Sequence, residues 1–268
     1  MEKIIKLGDK KMGHSFENKL YEGKVTIMFD VYQHKYTWVE EEEDITSVTT
    51  ALKIISKPAL ISWAANVAVD YMTEKIEPGM EYDEVELAGI FKGARQAHWQ
   101  KKTDAGDVGT LLHKWIESYI NGEQVSMPVN EQMKISIKRF LKWKKDHKVK
   151  FLSAEQVVFS KKHRFSGTID FICSINNKMY IGDLKTSKGV YAEMMMQTAA
   201  YRLARQEEFP EEKYSGMLIL RIGSNGTFEI AIIKGKTIFK QLAVNFLHAL
   251  SLSNGLESIK NYRPSRNP

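Results

Sequence analysis

Apolar positions recur every second residue in some stretches of this chain and every third or fourth residue in others, and that change of period separates predicted strands from predicted helices. Residues 25 to 39, VTIMFDVYQHKYTWV, are rich in β-branched and aromatic side chains and predict strands around a turn. The acidic run from Glu40 to Asp44 reads as a solvated turn. Thr46, Ser47, Thr49 and Thr50 then offer capping hydroxyls before ALKIISKPALISWAANVAVDYM, a helical stretch interrupted near Pro58, with Trp63, Val67 and Met72 toward a core. A second helix is expected from Asp83 to Gln100, and a third beginning near Asp107, on which Leu112, Trp115, Ile116 and Tyr119 recur at helical spacing. His113 and Glu117 stand one turn apart on that third helix and share a face. Residues 130 to 147 predict a further helix with Met133, Ile137, Phe140 and Leu141 inward and Lys134, Lys138, Lys142 and Lys145 outward.

From about Ala154 the pattern turns to strands: EQVVFS, GTIDFICSI and KMYIGDLK. A helix, VYAEMMMQTAAYRLARQ, is followed by the strands SGMLILRI and TFEIAIIK, a last helix, TIFKQLAVNFLHALSLS, and a polar tail. No internal repeat or low-complexity linker divides the chain. The expectation is one α/β domain over 1–268, with 1–45 as a β-rich extension and 46–150 as a helical portion packed on a 151–255 core.

A length of 268 residues suffices to bury a core without a disulfide or structural metal. Lys and Arg number 39 against 33 Asp and Glu, a formal charge of +6, which favours an anionic partner without naming one. Cys173 is the one cysteine, which excludes an intramolecular disulfide and any site needing several cysteines of this chain. MEKIIKLGDKKMGHSF lacks the apolar core of a secretory signal and no run is long enough to cross a bilayer, so an intracellular, soluble protein without a membrane partner is expected. GTLLH is not a phosphate-binding loop, and no ATP site is expected.

The candidate chemistry lies in GTIDFICSINNKMYIGDLKTS. Asn176 and Asn177 suit the centre of a tight hairpin turn. Counting outward from Ile175 and Lys178 then sets Asp170 against Asp183, with Cβ atoms about 4.5–5.5 Å apart, where like charges repel. Ile169, Phe171, Ile172, Ile181 and Leu184 imply that both sheet faces are buried, so two unpaired carboxylates there are costly. A divalent cation resolves the conflict, and carboxylate oxygens suit magnesium. Lys185 returns to the face of Asp183 and can meet a phosphate or a water beside that cation. Glu155, at the start of the preceding strand, is a candidate third oxygen ligand. The competing reading pairs the aspartates with Lys161, Lys162 or Arg164 in an edge hairpin, and a one-residue slip in the turn removes the opposition altogether. Gln197 and Tyr201 present two polar groups on one helix face; Trp99 and Tyr119 have two readings, stacking on a base and core packing, of which core packing is preferred for each.

The ordered set formed by HKYTWVEEEEDITSVTTAL, GTLLHKWIE with His113, Glu155, GTIDF, GDLKTS and QTAAY resembles the PD-(D/E)XK nuclease superfamily. The resemblance is to its RecB-like single-domain exonuclease branch, with phage and mitochondrial relatives, and covers roughly residues 32 to 205. It implies a restriction-endonuclease-like core, a central mixed β-sheet flanked by helices, with a mainly helical N-terminal portion. It further implies Mg²⁺, replaceable by Mn²⁺, held by Asp170, Asp183 and His113, with Lys185 catalytic. Glu155 matches a frequently acidic catalytic position, and Gln197 and Tyr201 fall near the active centre or substrate path. The partner implied is DNA, linear with a free end, and the activity is exonucleolytic hydrolysis in recombination, repair or replication. A structure-specific endonuclease and an inactive DNA-binding accessory protein are the alternatives. Lys134, Lys138, Lys142, Lys161, Lys162 and Arg164 are candidates for the DNA backbone, and the oligomeric state is left open. Members built around a four-cysteine iron-sulfur cluster are disfavoured by the single cysteine.

Overall fold

In the computed structural model, residues 15–223 and 226–263 are described. The opening stretch read above for a leader, up to residue 14, and the last five residues of the polar tail lie outside them. The order is β1 (Ser15–Leu20), β2 (Val25–Asp30), β3 (Lys35–Trp38), β4 (Glu43–Ser47), α1 (Val48–Ala51), a 3-10 turn (Leu52–Ile54), α2 (Pro58–Lys75), α3 (Glu84–Ile120), α4 (Glu131–Asp146), β5 (Lys150–Ser160), β6 (Phe165–Ile175), β7 (Lys178–Lys185), α5 (Ala192–Glu208), β8 (Tyr214–Ile222), β9 (Phe228–Ile233) and α6 (Lys236–Ile259). The architecture is α/β, a mixed central sheet flanked by helices.

Several expected boundaries shift for local reasons. The acidic run is not wholly a turn, because Glu43 and Asp44 begin β4, and so the extension expected to end at residue 45 runs on to Ser47. Ser47 caps α1 by accepting from the Thr50 amide, and Pro58 opens α2 at a position where its missing amide costs nothing. The two helices expected on either side of residues 101–106 are one, α3. Gly106 and Gly109 cost it about 1 kcal/mol each; Gly109 is where Thr186 packs close, since a Cβ there would meet Thr186 Oγ1 at 2.6 Å, whereas a Cβ on Gly106 would meet open space. On α4, Met133, Ile137 and Phe140 are buried and Leu141 is half-buried.

Strand β6 organises the core. Along one edge it pairs antiparallel with β5. Its other edge is shared: β4 pairs parallel at Thr46–Phe165 and Ser47–Ser166, and β7 pairs antiparallel from Phe171–Gly182 to Ile175–Lys178. Both neighbours leave β6 between these stretches, and among the described residues Gly167, Thr168, Ile169 and Asp170 have no ladder partner on that edge. Helices α1, α5 and α6 cover one sheet face and α3 with α4 the other. The fully buried Phe140, Phe165, Phe171, Ile169 and Ile181 each contribute about 1.5–3 kcal/mol of burial, which fixes the strands that frame the gap. The N-terminal hairpin is tied down by Tyr21, whose hydroxyl donates to Phe159 O at 2.9 Å and meets Glu207 at 3.1 Å.

Candidate active site

The β6–β7 turn forms as its sequence demands. Asn176 and Asn177 take φ of 51° and 60°, the left-handed region that asparagine tolerates, and Ile175 pairs with Lys178. The register therefore runs toward Asp170 and Asp183, yet the last closed pair is Phe171–Gly182. One step further the ladder gives way, because Asp170 Oδ2 accepts the Leu184 amide at 2.6 Å. On the other side of β6 the ladder also lapses at Asp170: Ala154 pairs with Phe171 and Gln156 with Ile169, while Glu155 between them has a φ of 48°. Asp170 thus sits where both ladders of its strand open.

The two aspartates lie close enough for the charge of Asp170 to act on Asp183, and each also reaches neighbours of its own. Asp183 is fully buried and leans on α5, with Gln197 Nε2 donating to its Oδ1 at 3.1 Å and to Tyr201 Oη at 2.8 Å. Lys185 Nζ lies 2.5 Å from Asp183 Oδ2, so the ammonium is the partner of that buried oxygen. Asp170 faces α3, with Oδ2 3.8 Å from His113 Nδ1. A small cleft lined by His113, Glu117, Glu155, Asp170 and Leu184 opens there. Glu155 is in the middle of β5 rather than at its start, since that strand begins at Lys150, and its side chain stands at the solvent edge of the cleft.

The electrostatics follow from Asp170 and Asp183 sharing Lys185, with Glu155 and Glu117 adding negative charge nearby. Burial raises the pKa of Asp183 and Asp170; Lys185 pulls both back, and the Asp170 charge pushes Asp183 up again. Lost hydration and then Asp170, Glu117 and Asp183 push the Glu155 carboxyl up to about 8, a direction that holds although solvent reaches the side chain. Burial alone would lower the Lys185 ammonium, and Asp183 with Asp170 outweighs it, so it stays charged. Burial and then Lys185 lower the pKa of His113. Both causes favour the uncharged imidazole.

Glycines shape the space. A Cβ on Gly167 meets the Tyr201 ring at 2.5 Å, so Gly167 lets that ring lie across the unpaired edge of β6. After β7, Arg221 donates to Ser187 O at 3.2 Å and fixes the loop behind Lys185.

Sequence reasoning missed Tyr36, whose hydroxyl is 2.8 Å from Thr168 Oγ1 on the open edge; spacing gives no sign of a partner so remote in the chain. The expected backbone cations are not gathered at the cleft. Arg164 pairs with Glu43 and stacks 5.2 Å from the Trp38 ring, and Lys161 lies 5.3 Å from the Tyr21 ring. They and Lys162 belong to the β5–β6 turn, roughly 20 Å along β6 from Asp170. On α4, Lys134 and Lys142 pair with Glu131 and Asp146 of their own helix, and Lys138 is exposed. Among the described residues no three His, Cys, Asp or Glu side chains form a ready-made cation cage.

No family model matches the chain, and no curated protein matches it. Among solved structures, the crystal structure of SSO0001 is similar over 77% of this chain and 98% of that one, at 12% identity and a TM-score of 0.31. Among the described residues no helix is long and apolar enough to cross a membrane.

Proposed function

We propose that this chain is a metal-dependent deoxyribonuclease of the RecB-like PD-(D/E)XK type with a restriction-endonuclease-like core, acting as an exonuclease on linear DNA. The observation that carries the reading is the meeting of Asp170, Asp183 and Lys185 at the gap where β4 and β7 leave β6. Two buried carboxylates crowded beside one ammonium are a set whose charge a divalent cation would relieve, and their oxygen donors suit Mg²⁺ or Mn²⁺. Asp170 and Asp183 would hold the ion, with His113 and Glu155 at its border. When bound, it supplies neutralisation of charge on the scissile phosphate and a water of lowered pKa.

The chain's own groups do the rest. Lys185 Nζ, kept charged by Asp183, binds a phosphate oxygen or orients the attacking water. Gln197 holds Asp183 Oδ1, and Tyr201 braces Gln197 from one helical turn away, which leaves Oδ2 beside Lys185 Nζ. Burial excludes bulk water behind Asp183 and strengthens these interactions.

The experiment is a digestion series on end-labelled linear, gapped and circular single-stranded DNA with EDTA, Mg²⁺ or Mn²⁺, run in parallel with Asp183→Ala. Metal-dependent release from ends that vanishes in the variant is expected. Cutting of the circle would assign an endonuclease instead. Unchanged cleavage by Asp183→Ala would remove the catalytic assignment, and no cleavage by the native chain under any metal would leave a DNA-binding accessory role.

A further inference from the structure

Trp99 was expected to pack in a core, and it does not: the side chain is 60% exposed on α3. An indole left in water is a cost unless something covers it, and its surroundings indicate what. Lys102 Nζ sits 5.1 Å from its ring and the His98 ring lies 5.4 Å away. From Leu87 to Thr103 the helix carries Lys92, Arg95, Lys101 and Lys102, all exposed, and no acidic residue. A partner protein with an apolar face gains nothing from that charge. A ligand made of flat apolar rings on an anionic backbone matches both features, and that is nucleic acid with its bases unstacked.

The position on the helix gives the platform a direction. At about 100° per residue, Trp99 and Lys102 lie within roughly 40° of His113 around the axis of α3, and Trp99 is about 21 Å from it along that axis. Gly106 and Gly109 fall between them on this side, and Gly109 packs against Thr186, the residue after Lys185. This side of α3 therefore runs from the exposed indole past the open Gly106 to the buried Gly109, which Thr186 covers beside the end of β7.

We propose that Trp99 and Lys102 form a stacking platform for an unpaired base of a single-stranded segment leading into the carboxylate site. Lys102 covers the ring from one side and meets the phosphate of the stacked nucleotide, so the platform selects single strands over duplex, whose bases are already stacked. The inference rests on the nuclease reading for its purpose and on Trp99 for its geometry. Trp99 is thus a positioning residue, remote from the reacting phosphate.

The test is fluorescence anisotropy of a fluorescein-labelled oligo(dT) with the full chain in EDTA, where cleavage plays no part. Trp99→Ala is expected to bind oligo(dT) about tenfold or more weakly, to bind a blunt duplex as the native chain does, and to melt at the same temperature, while Trp99→Phe recovers most of the loss. Native affinity for oligo(dT) in Trp99→Ala overturns the proposal, as does an equal loss for oligo(dT) and duplex. A native chain that binds through Trp99 but cuts nothing in Mg²⁺ or Mn²⁺ keeps the platform and removes the nuclease reading. A chain that cuts while Trp99→Ala binds unchanged does the reverse.

Discussion

The two ends of the β6–β7 hairpin are built from one pair of strands and behave oppositely. At the turn end every residue from Phe171 to Ile175 has its ladder partner, and the side chains of Phe171, Ile172, Cys173 and Ile181 are buried among other apolar groups. At the open end the backbone bonds stop, and an aspartate takes over one amide. Carboxylates there share a single ammonium. The closed end contributes stability and has no chemistry; the open end holds charge that folding alone does not reward. The proposed function needs such a division, with groups left short of partners within the protein at the end where it would act.

Substitutions should separate the two ends. The largest effect is expected from Asp170→Asn, which keeps an acceptor for the Leu184 amide but removes the charge. Cleavage should fall on the order of a thousandfold, measured as initial rates on end-labelled DNA, with the native circular dichroism spectrum retained. At the closed end, Ile181→Ala should cost about 2–5 kcal/mol in urea unfolding and leave the rate per folded molecule unchanged. Equal damage to rate and stability by either variant would dissolve the contrast.

Glu155→Gln tests the charge crowding directly. A carboxyl whose folded pKa is raised contributes least when ionised, so stability associated with it is present at acid pH and is lost as pH climbs through about 8. In EDTA the Gln variant should match the native melting temperature near pH 4 and exceed it near pH 9. The smallest effect concerns Cys173, whose thiol burial pushes up to about 12. It should stay silent to a thiol reagent at pH 8 in the folded chain and react on unfolding; fast labelling of the native state would show that the closed end opens.

Much of this was legible in the chain, and the exceptions have physical causes. Two adjacent asparagines specify their turn locally, so the register of β6 and β7 followed from sequence. Asp183, Lys185, Gln197 and Tyr201 come together because strand and helix periods put each pair on one face. The lapse of the ladder at Asp170 was not legible, because it depends on β5 carrying Glu155 in a left-handed conformation and on β7 parting from β6 while it stays paired with β8. Nor was the continuity of α3 through Gly106 and Gly109, of which only Gly109 has a packing partner, Thr186. Strands β1 and β4 are short and flanked by charged residues, and their periodicity is too weak to announce them.

The close approach of Tyr201 to Gly167 has a consequence for how such a chain can drift. The ring occupies the place that any side chain at position 167 would need. Neither position is free to vary by itself: a methyl group at one calls for a smaller residue at the other, and the tyrosine cannot shrink without releasing the glutamine that steadies Asp183. Sequences descended from this one should therefore keep the small residue and the aromatic together or exchange them as a pair.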